Sequence, residues 1–432
     1  MTRASVAQVL ERAPAADELE LPLDHFDLPP DAVKTRFDWA RRRGHPQWLW
    51  PEVTPQEWRE ALGAIATVAR GVLAGDDVVL LQADPAALTV AAYTSGMGPL
   101  LGHWVEEGRV AAGPEVAALL SLHLRHSRLR CQRTTAEAVR AAGACAAAGI
   151  TPTLLKGAHT AHVYFPEPAT RPSSDVDLLV PPAQEGAAER VLRGAGYVKS
   201  LARYQPFGSI WVRAGASAVV PSLSLVHADE PGSLDLHPTL NRTFAGTAVV
   251  RFDDLWAQAT PAPWPLSPAA TVLPQPLLTL FLATHASQAS LTLLRLVELV
   301  WVIRRDVASG ALEWGELVRA AERVRALRFI HPALELTERL APGTVPAEVL
   351  AACDAQATPA TRRVLARLTL ATMQPLDRLS LEERYMWAGS WWERARQAAF
   401  ELGPAPAGYS WRHLLKIYRT RGWRLIRGAV GR

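Results

Sequence analysis

The hydrophobic pattern of this chain changes period twice, and that limits its fold more than any other feature. Over Pro55–Ala74, Glu115–Arg133 and Thr134–Ala148, apolar residues recur every three to four positions, the spacing of one helix face. From about residue 151 the chain instead carries short β-prone runs: Thr153–Lys156, Val176–Val180, Ser222–His227 and Ser233–His237. Between the last two, Asp229-Glu230-Pro231-Gly232 is a hairpin signal. Helical stretches are interleaved at Ala158–Tyr164 and Gln184–Ala195. Beyond the proline-rich segment Pro261–Pro276 the helical spacing returns, over Leu277–Arg305, Leu312–Arg325, Pro332–Leu340 and much of Ala347–Phe400. The expected architecture is therefore α+β. A mainly helical region (1–150) leads to an α/β core (151–260), a helical domain (261–403), and a linker with a basic tail (404–432). Residues 1–32 form an acidic lead-in.

With 432 residues, 49% hydrophobic and 20% charged, the chain can bury a sizeable core and is not mostly disordered. The 46 basic and 42 acidic residues nearly balance, so the pI near 9.1 reflects an arginine excess and implies no partner by itself. Cys131, Cys145 and Cys353 form no CxxC pair. Neither a disulfide framework nor a structural zinc site is expected, and a reducing, cytoplasmic setting is. The first twenty residues hold no apolar core of a signal peptide, and no run of 18 apolar residues suggests a membrane span.

The chemistry-bearing segment is Ser174-Asp175-Val176-Asp177-Leu178-Leu179-Val180. On a strand, residues two apart share a face, so Asp175 and Asp177 stand side by side. Adjacent like charges call for a screening cation, and hard oxygen donors favour Mg²⁺ or Mn²⁺ over zinc. The plain alternative is an acidic strand start in solvent. Asp235, in Ser233-Leu234-Asp235-Leu236-His237, offers a third carboxylate from a second strand of the same core. Together the three are expected on adjacent strands facing an open cleft. Upstream, Leu154-Leu155-Lys156-Gly157 is a strand followed by glycine and a helix, a junction whose amides and dipole favour phosphate. Only four lysines occur, Lys34, Lys156, Lys199 and Lys416, so a lysine here suggests that a compact ammonium is needed. No GxxxxGK[ST] loop is present, which excludes a P-loop NTPase.

The order LLKG, an arginine four before DVDLLV, a helix ending at Gly196-Tyr197, then LDLH resembles the bacterial uncharacterised nucleotidyltransferases of the DNA polymerase β-like superfamily. The resemblance continues through Phe252-Asp253-Asp254-Leu255-Trp256 and His285 to Arg295-Leu296-Val297-Glu298, covering about Leu122 to Arg305. It implies a polymerase β-like nucleotidyltransferase core with a mixed sheet between helical regions. It also implies metal-dependent transfer of a nucleotidyl group from an NTP to an acceptor, a small molecule, peptide or protein in a biosynthetic setting. Asp175, Asp177 and Asp235 match the catalytic and metal-binding carboxylates. Lys156-Gly157 stands where more distant relatives carry Gly-Ser, and Glu298 stands where Asp is expected.

Lys156, Gly157, Arg171, Ser174, His237 and Arg295 are the nucleotide-binding candidates. Each has a plainer counterpart: Arg171 as a surface arginine, Ser173 and Ser174 as turn residues, His237 as a structural histidine, and His285 with Arg295 as a polar pair joining helices. His159 and His162 share a helix face and read as packing residues rather than metal ligands. The tail from Tyr409 carries seven cations, no acid, and four interleaved aromatics. It suits RNA, an acidic peptide or a membrane surface, or is simply a solvated helix. A catalytically inactive nucleotide-binding scaffold and an RNA-modifying or toxin-type nucleotidyltransferase are the alternative functions. If the aspartate pair lies at a solvated strand start, Asp177→Asn is expected to abolish transfer and leave the fold intact.

Overall fold

The computed structural model describes residues 53–173, 175–200, 208–215, 232–244, 248–288, 291–374, 381–402 and 419. The acidic lead-in, Ser174, the run Ser222–His227, most of the hairpin turn, the linker and nearly all of the basic tail lie outside them.

Helix α1 (Pro55–Ala74) spans the residues its spacing predicts. Thr54 accepts from the Glu57 amide while the Glu57 carboxylate accepts from the Thr54 amide, and Gly75 ends the helix in the left-handed region at φ 94°. Helices α2 (Pro85–Ser95) and α3 (Gly98–Glu106) follow. A small parallel pair, β1 (Val79–Leu81) with β2 (Val110–Ala112), was not foreseen from sequence. The two helices expected over 115–148 are one, α4 (Pro114–Ala147). The Thr134 hydroxyl bonds back to the Arg130 carbonyl at 3.1 Å instead of capping a new helix, so the chain continues through it.

The core follows as β3 (Thr153–Leu154), α5 (Gly157–Tyr164), β4 (Asp175–Leu179), α6 (Glu185–Gly194), β5 (Tyr197–Lys199), β6 (Ser209–Arg213) and β7 (Ser233–His237). A separate hairpin, β8 (Arg242–Phe244) with β9 (Ala248–Val250), precedes the short helix α7 (Asp253–Trp256). The proline-rich segment then contributes β10 (Ala262–Trp264) and β11 (Ser267–Val272). Among the described residues seven strands form one mixed sheet, in the order β10-β11-β3-β4-β7-β6-β5. The sheet thus runs past the expected core boundary at residue 260. Pro263 is tolerated because β10 is an edge strand with one unpaired side. β4 and β7 are parallel neighbours, with Asp175 opposite Ser233 and Asp177 opposite Asp235.

Strand parity sorts the two sheet faces. Val176, Leu178, Leu234 and Leu236 point to one face and bury against Ala138, Ala141, Ala142 and Cys145 of α4 and Ala188 and Leu192 of α6. The small residues of α4 let the long helix lie close to the strands. Asp175, Asp177, Asp235 and His237 take the opposite parity and face the C-terminal helices. These are α8 (Leu277–Gln288), α9 (Leu293–Ala308), α10 (Trp314–Arg323), α11 (Leu327–Leu340), α12 (Ala347–Gln356), α13 (Pro359–Arg367), α14 (Leu381–Tyr385) and α15 (Trp391–Leu402). The single helix expected over Leu277–Arg305 is two, because Thr292 is extended immediately before α9.

Gly102 and Gly143 separate packing from propensity. A Cβ on Gly102 would lie 2.4 Å from the Leu120 carbonyl oxygen, where α3 crosses α4, whereas one on exposed Gly143 meets nothing within 4 Å. Gly102→Ala is expected to destabilise by ~1–3 kcal/mol through overpacking. Gly143→Ala is expected to stabilise α4 by ~0.5–1 kcal/mol. Denaturant melts of the two variants check both signs.

Candidate active site

The register of β4 and β7 brings Asp177 and Asp235 directly across from each other, each 5% exposed. They sit at the bottom of the site, where an open cleft was expected. Donor atoms of Asp177, Asp235 and His237 lie within 4.8 Å of one another. Asp175, two residues earlier on the same face, stands outside this group and is half-buried, its carboxylate accepting from Ser173 Oγ at 3.3 Å. Ser233 Oγ donates to Asp235 Oδ1 at 3.3 Å. Two buried carboxylates in register, with an imidazole beside them, form a donor set that fits a divalent cation.

Asp177 is held charged by its neighbours. Lys156 Nζ lies 3.2 Å from Oδ2, and His237 Nε2 donates to Oδ1 at 3.0 Å. Burial works against ionisation, but the Lys156 charge, the His237 hydrogen bond and the Arg242 charge outweigh it and hold the carboxyl well below its usual range. Lys156 also reaches His285 Nε2 at 3.2 Å. An ammonium only donates, so Nε2 accepts and the His285 proton resides on Nδ1. Burial, with the cations of Lys156, Arg295, Arg242 and Arg171 around it, keeps His285 neutral, its pKa far below 6.5.

A second ion pair fixes the loop before β4. Arg171 Nε and Nη2 each donate to Glu298 of α9 at 3.0 Å, and Thr160 of α5 donates to the same carboxylate. From the other side α4 grips the loop: Ser127 Oγ donates to the Ala169 carbonyl at 2.5 Å and Arg130 Nε to the Ser173 carbonyl at 2.8 Å. A Cβ on Gly157 would come within 2.7 Å of Arg171 Nη1 and 2.8 Å of Ser173 Oγ. Glycine at the start of α5 lets this loop close.

The expected residues therefore separate into layers. Lys156, Asp177, Asp235 and His237 meet in one cluster, and Asp175 lies beside it. Arg171 is a buried partner of Glu298 rather than a surface arginine. Arg295 is half-buried in the combined field of Arg171, Glu298, Asp175 and Asp177. His162 bonds Thr135 at 3.0 Å and His159 packs edge-on against Tyr164. Ser174 lies outside the described residues. Sequence reasoning missed Arg130 and Arg242. Arg242 stands alone as a basic residue in a neutral stretch, whereas Arg130 is hidden among Arg125, Arg128 and Arg133.

A family model described as an uncharacterised nucleotidyltransferase matches residues 82–342. No curated protein and no solved structure matches the chain. Among the described residues, no helix is long and apolar enough to cross a membrane.

Burial changes what Asp177→Asn should do. The substitution leaves the Lys156 ammonium facing a neutral amide, and breaking a buried pair costs about 3 kcal/mol or more. The melting temperature is expected to fall by several degrees, where a solvated carboxylate would give no change. The buried imidazoles set the pH response. Burial lowers His123 and His159 to about 4, and His285 also lies below its ordinary value. The unfolded chain binds these protons at about pH 6.5 and the folded protein does not. Stability is therefore full above pH 6.5 and declines as pH falls from 6.5 toward 4. Denaturant midpoints that stay constant over that interval would show the imidazoles to be protonated in the fold.

Proposed function

Since the chain belongs to the uncharacterised nucleotidyltransferase family, we propose that it moves a nucleotidyl group from an NTP to an acceptor hydroxyl, in a reaction dependent on Mg²⁺ or Mn²⁺. The observation that carries this reading is the in-register pairing of Asp177 with Asp235 on adjacent parallel strands, buried and bordered by cations. Paired carboxylates that would hold a divalent ion, below a cationic rim, suit a substrate whose phosphates are anionic. The acceptor is proposed to be a peptide, a protein or a small biosynthetic molecule.

Asp177 and Asp235, with Asp175 alongside, would hold the cation, which when bound supplies charge neutralisation at the transferred phosphoryl group. The acceptor oxygen attacks the α-phosphorus, the bond to the bridging oxygen of pyrophosphate breaks, and pyrophosphate leaves. Asp235 receives the acceptor hydroxyl proton as the new phosphorus–oxygen bond forms. His237 fixes the Asp177 carboxylate through Nε2–H, so its oxygens keep one orientation. Arg171, clamped by Glu298, orders the loop that leads into Asp175. Lys156, now against Asp177, would turn its ammonium to the phosphates when the nucleotide binds. Gly157 and the first amides of α5 border the same space.

Mass spectrometry of products, with each NTP, Mg²⁺ and candidate acceptors, tests the reading. Pyrophosphate release that needs a divalent ion and is absent in Asp177→Asn is expected. NTP binding without turnover under every condition would favour a nucleotide-binding scaffold instead. For Lys156, both Lys156→Ala and Lys156→Arg are expected to weaken NTP use by about tenfold or more, since a planar fork replaces a compact ammonium poorly at a tight helix start. If Lys156→Arg turns over like wild type, Lys156 balances charge and does not contact phosphate.

A further inference from the structure

We infer that Arg242, on β8, is a phosphate-binding residue of this site and receives the pyrophosphate end of the nucleotide beside Lys156. The inference rests on the nucleotidyl-transfer reading above. Nothing in the segment Leu240-Asn241-Arg242-Thr243-Phe244 singles this arginine out in the sequence; its surroundings do.

Its guanidinium carbon lies 4.4 Å from the centre of the Phe281 ring. Phe281 precedes His285 by one turn of α8, so the two side chains share a helix face. Arg242 is thereby set next to the imidazole that holds Lys156, which in turn touches Asp177. Its charge also acts on both Asp177 and His285. A side chain from outside the seven-stranded sheet is therefore close enough to act on the carboxylate cluster.

Two of the other cations at the site are visibly matched. Lys156 has Asp177, and Arg171 has both oxygens of Glu298. Arg242 has no hydrogen-bond acceptor among the described residues, and its buried Nε–H is left without one. Leaving a buried charged donor unsatisfied is unfavourable, and native proteins do so mainly where a ligand supplies the acceptor. The contact with Phe281 orients the guanidinium plane but accepts no hydrogen bond.

The mount is rigid. The Asp253 carboxylate accepts from the Leu240 amide and from Asn241 Nδ2, each at 2.8 Å, and from the Thr239 hydroxyl. In return the Asp253 amide donates to Asn241 Oδ1 at 3.1 Å. Two residues beyond Arg242, Phe244 stacks on Phe329 with ring centres 4.2 Å apart. Asp253 is a positioning residue in this scheme: it ties down the chain that carries Arg242. A cation held in advance at the phosphate position lowers the ordering cost of binding. The negative charge of a triphosphate is greatest at its β- and γ-phosphates, which is why the pyrophosphate end is assigned.

The test is isothermal titration, in Mg²⁺, of three probes: inorganic pyrophosphate, a non-hydrolysable α,β-methylene NTP and the matching nucleoside monophosphate. Wild type is compared with Arg242→Met, which keeps the stem over Phe281, and Arg242→Lys. Arg242→Met is expected to weaken pyrophosphate and the NTP analogue at least tenfold and the monophosphate less than twofold. Arg242→Lys should recover part of that loss. Uniform weakening of all three probes, or no change, overturns the inference. Melting temperatures of the ligand-free proteins are measured alongside, and Arg242→Lys carries the comparison if Arg242→Met unfolds. If wild type binds none of the probes, the nucleotidyl-transfer reading falls and takes this inference with it. If wild type binds and Arg242→Met binds equally, only the role of Arg242 is lost.

Discussion

Two aspartates facing one another across paired strands, both shut away from water, repel each other unless positive charge is supplied. Here the charge comes from Lys156 against one oxygen of Asp177, while His237 donates a hydrogen bond to the other. The consequence reaches the topology. Lys156 stands at the junction of β3 and α5, Asp177 lies on β4 and His237 on β7, so the ion cluster ties that junction to two strands. A sheet slipped by one residue would send Asp177 and Asp235 into the apolar layer and turn Val176 and Leu234 out of it. Burial of the hydrophobic face and neutralisation of the polar face thus require the same register.

The helices depend on a second charge arrangement of the same kind. Glu298 on α9 holds Arg171 in the loop and Thr160 on α5. The glutamate reaches two partners at once from a helix packed into the core, and its extra methylene relative to aspartate contributes to that reach. One carboxylate therefore links the C-terminal helices to the loop entering β4. A movement of α9 would be felt at Asp175 through Arg171 and Ser173.

Much of this was legible in the sequence for a simple reason. Strand parity needs only two-residue alternation, so Asp175-Val176-Asp177-Leu178 assigns its own faces, and Ser233–His237 does the same. The cap at Thr54 and the stop at Gly75 are local signals too. What sequence reading misjudged depends on context at a distance. Thr134-Thr135 resembles a helix start, but one hydroxyl satisfies a carbonyl within α4. The proline-rich segment from Pro261 looked like the end of the core, yet Pro263 sits on edge strand β10, one side of which has no partner among the described residues. Asp177 looked like a solvated carboxylate, because no local pattern reports that it is buried against Lys156 and His237. Arg242 and Arg130 had no motif, since their importance comes from what folds against them.

The choice of cation at each place follows from the shape of its partners. Arg171 meets a single planar carboxylate with two nitrogens at equal distance, the geometry for which a planar fork is built. Lys156 meets two acceptors from different elements, a carboxylate oxygen on β4 and an imidazole nitrogen on α8, both at 3.2 Å. A tetrahedral ammonium can direct separate N–H bonds to acceptors that share no plane, and its small head fits between a strand and a helix. Lys199 offers no parallel, being an exposed partner of Glu189 at the sheet edge. In a chain that otherwise writes arginine, the lysine at 156 is explained by this two-sided contact. The same compactness would let the side chain leave Asp177 for a phosphate without displacing the helix start behind it.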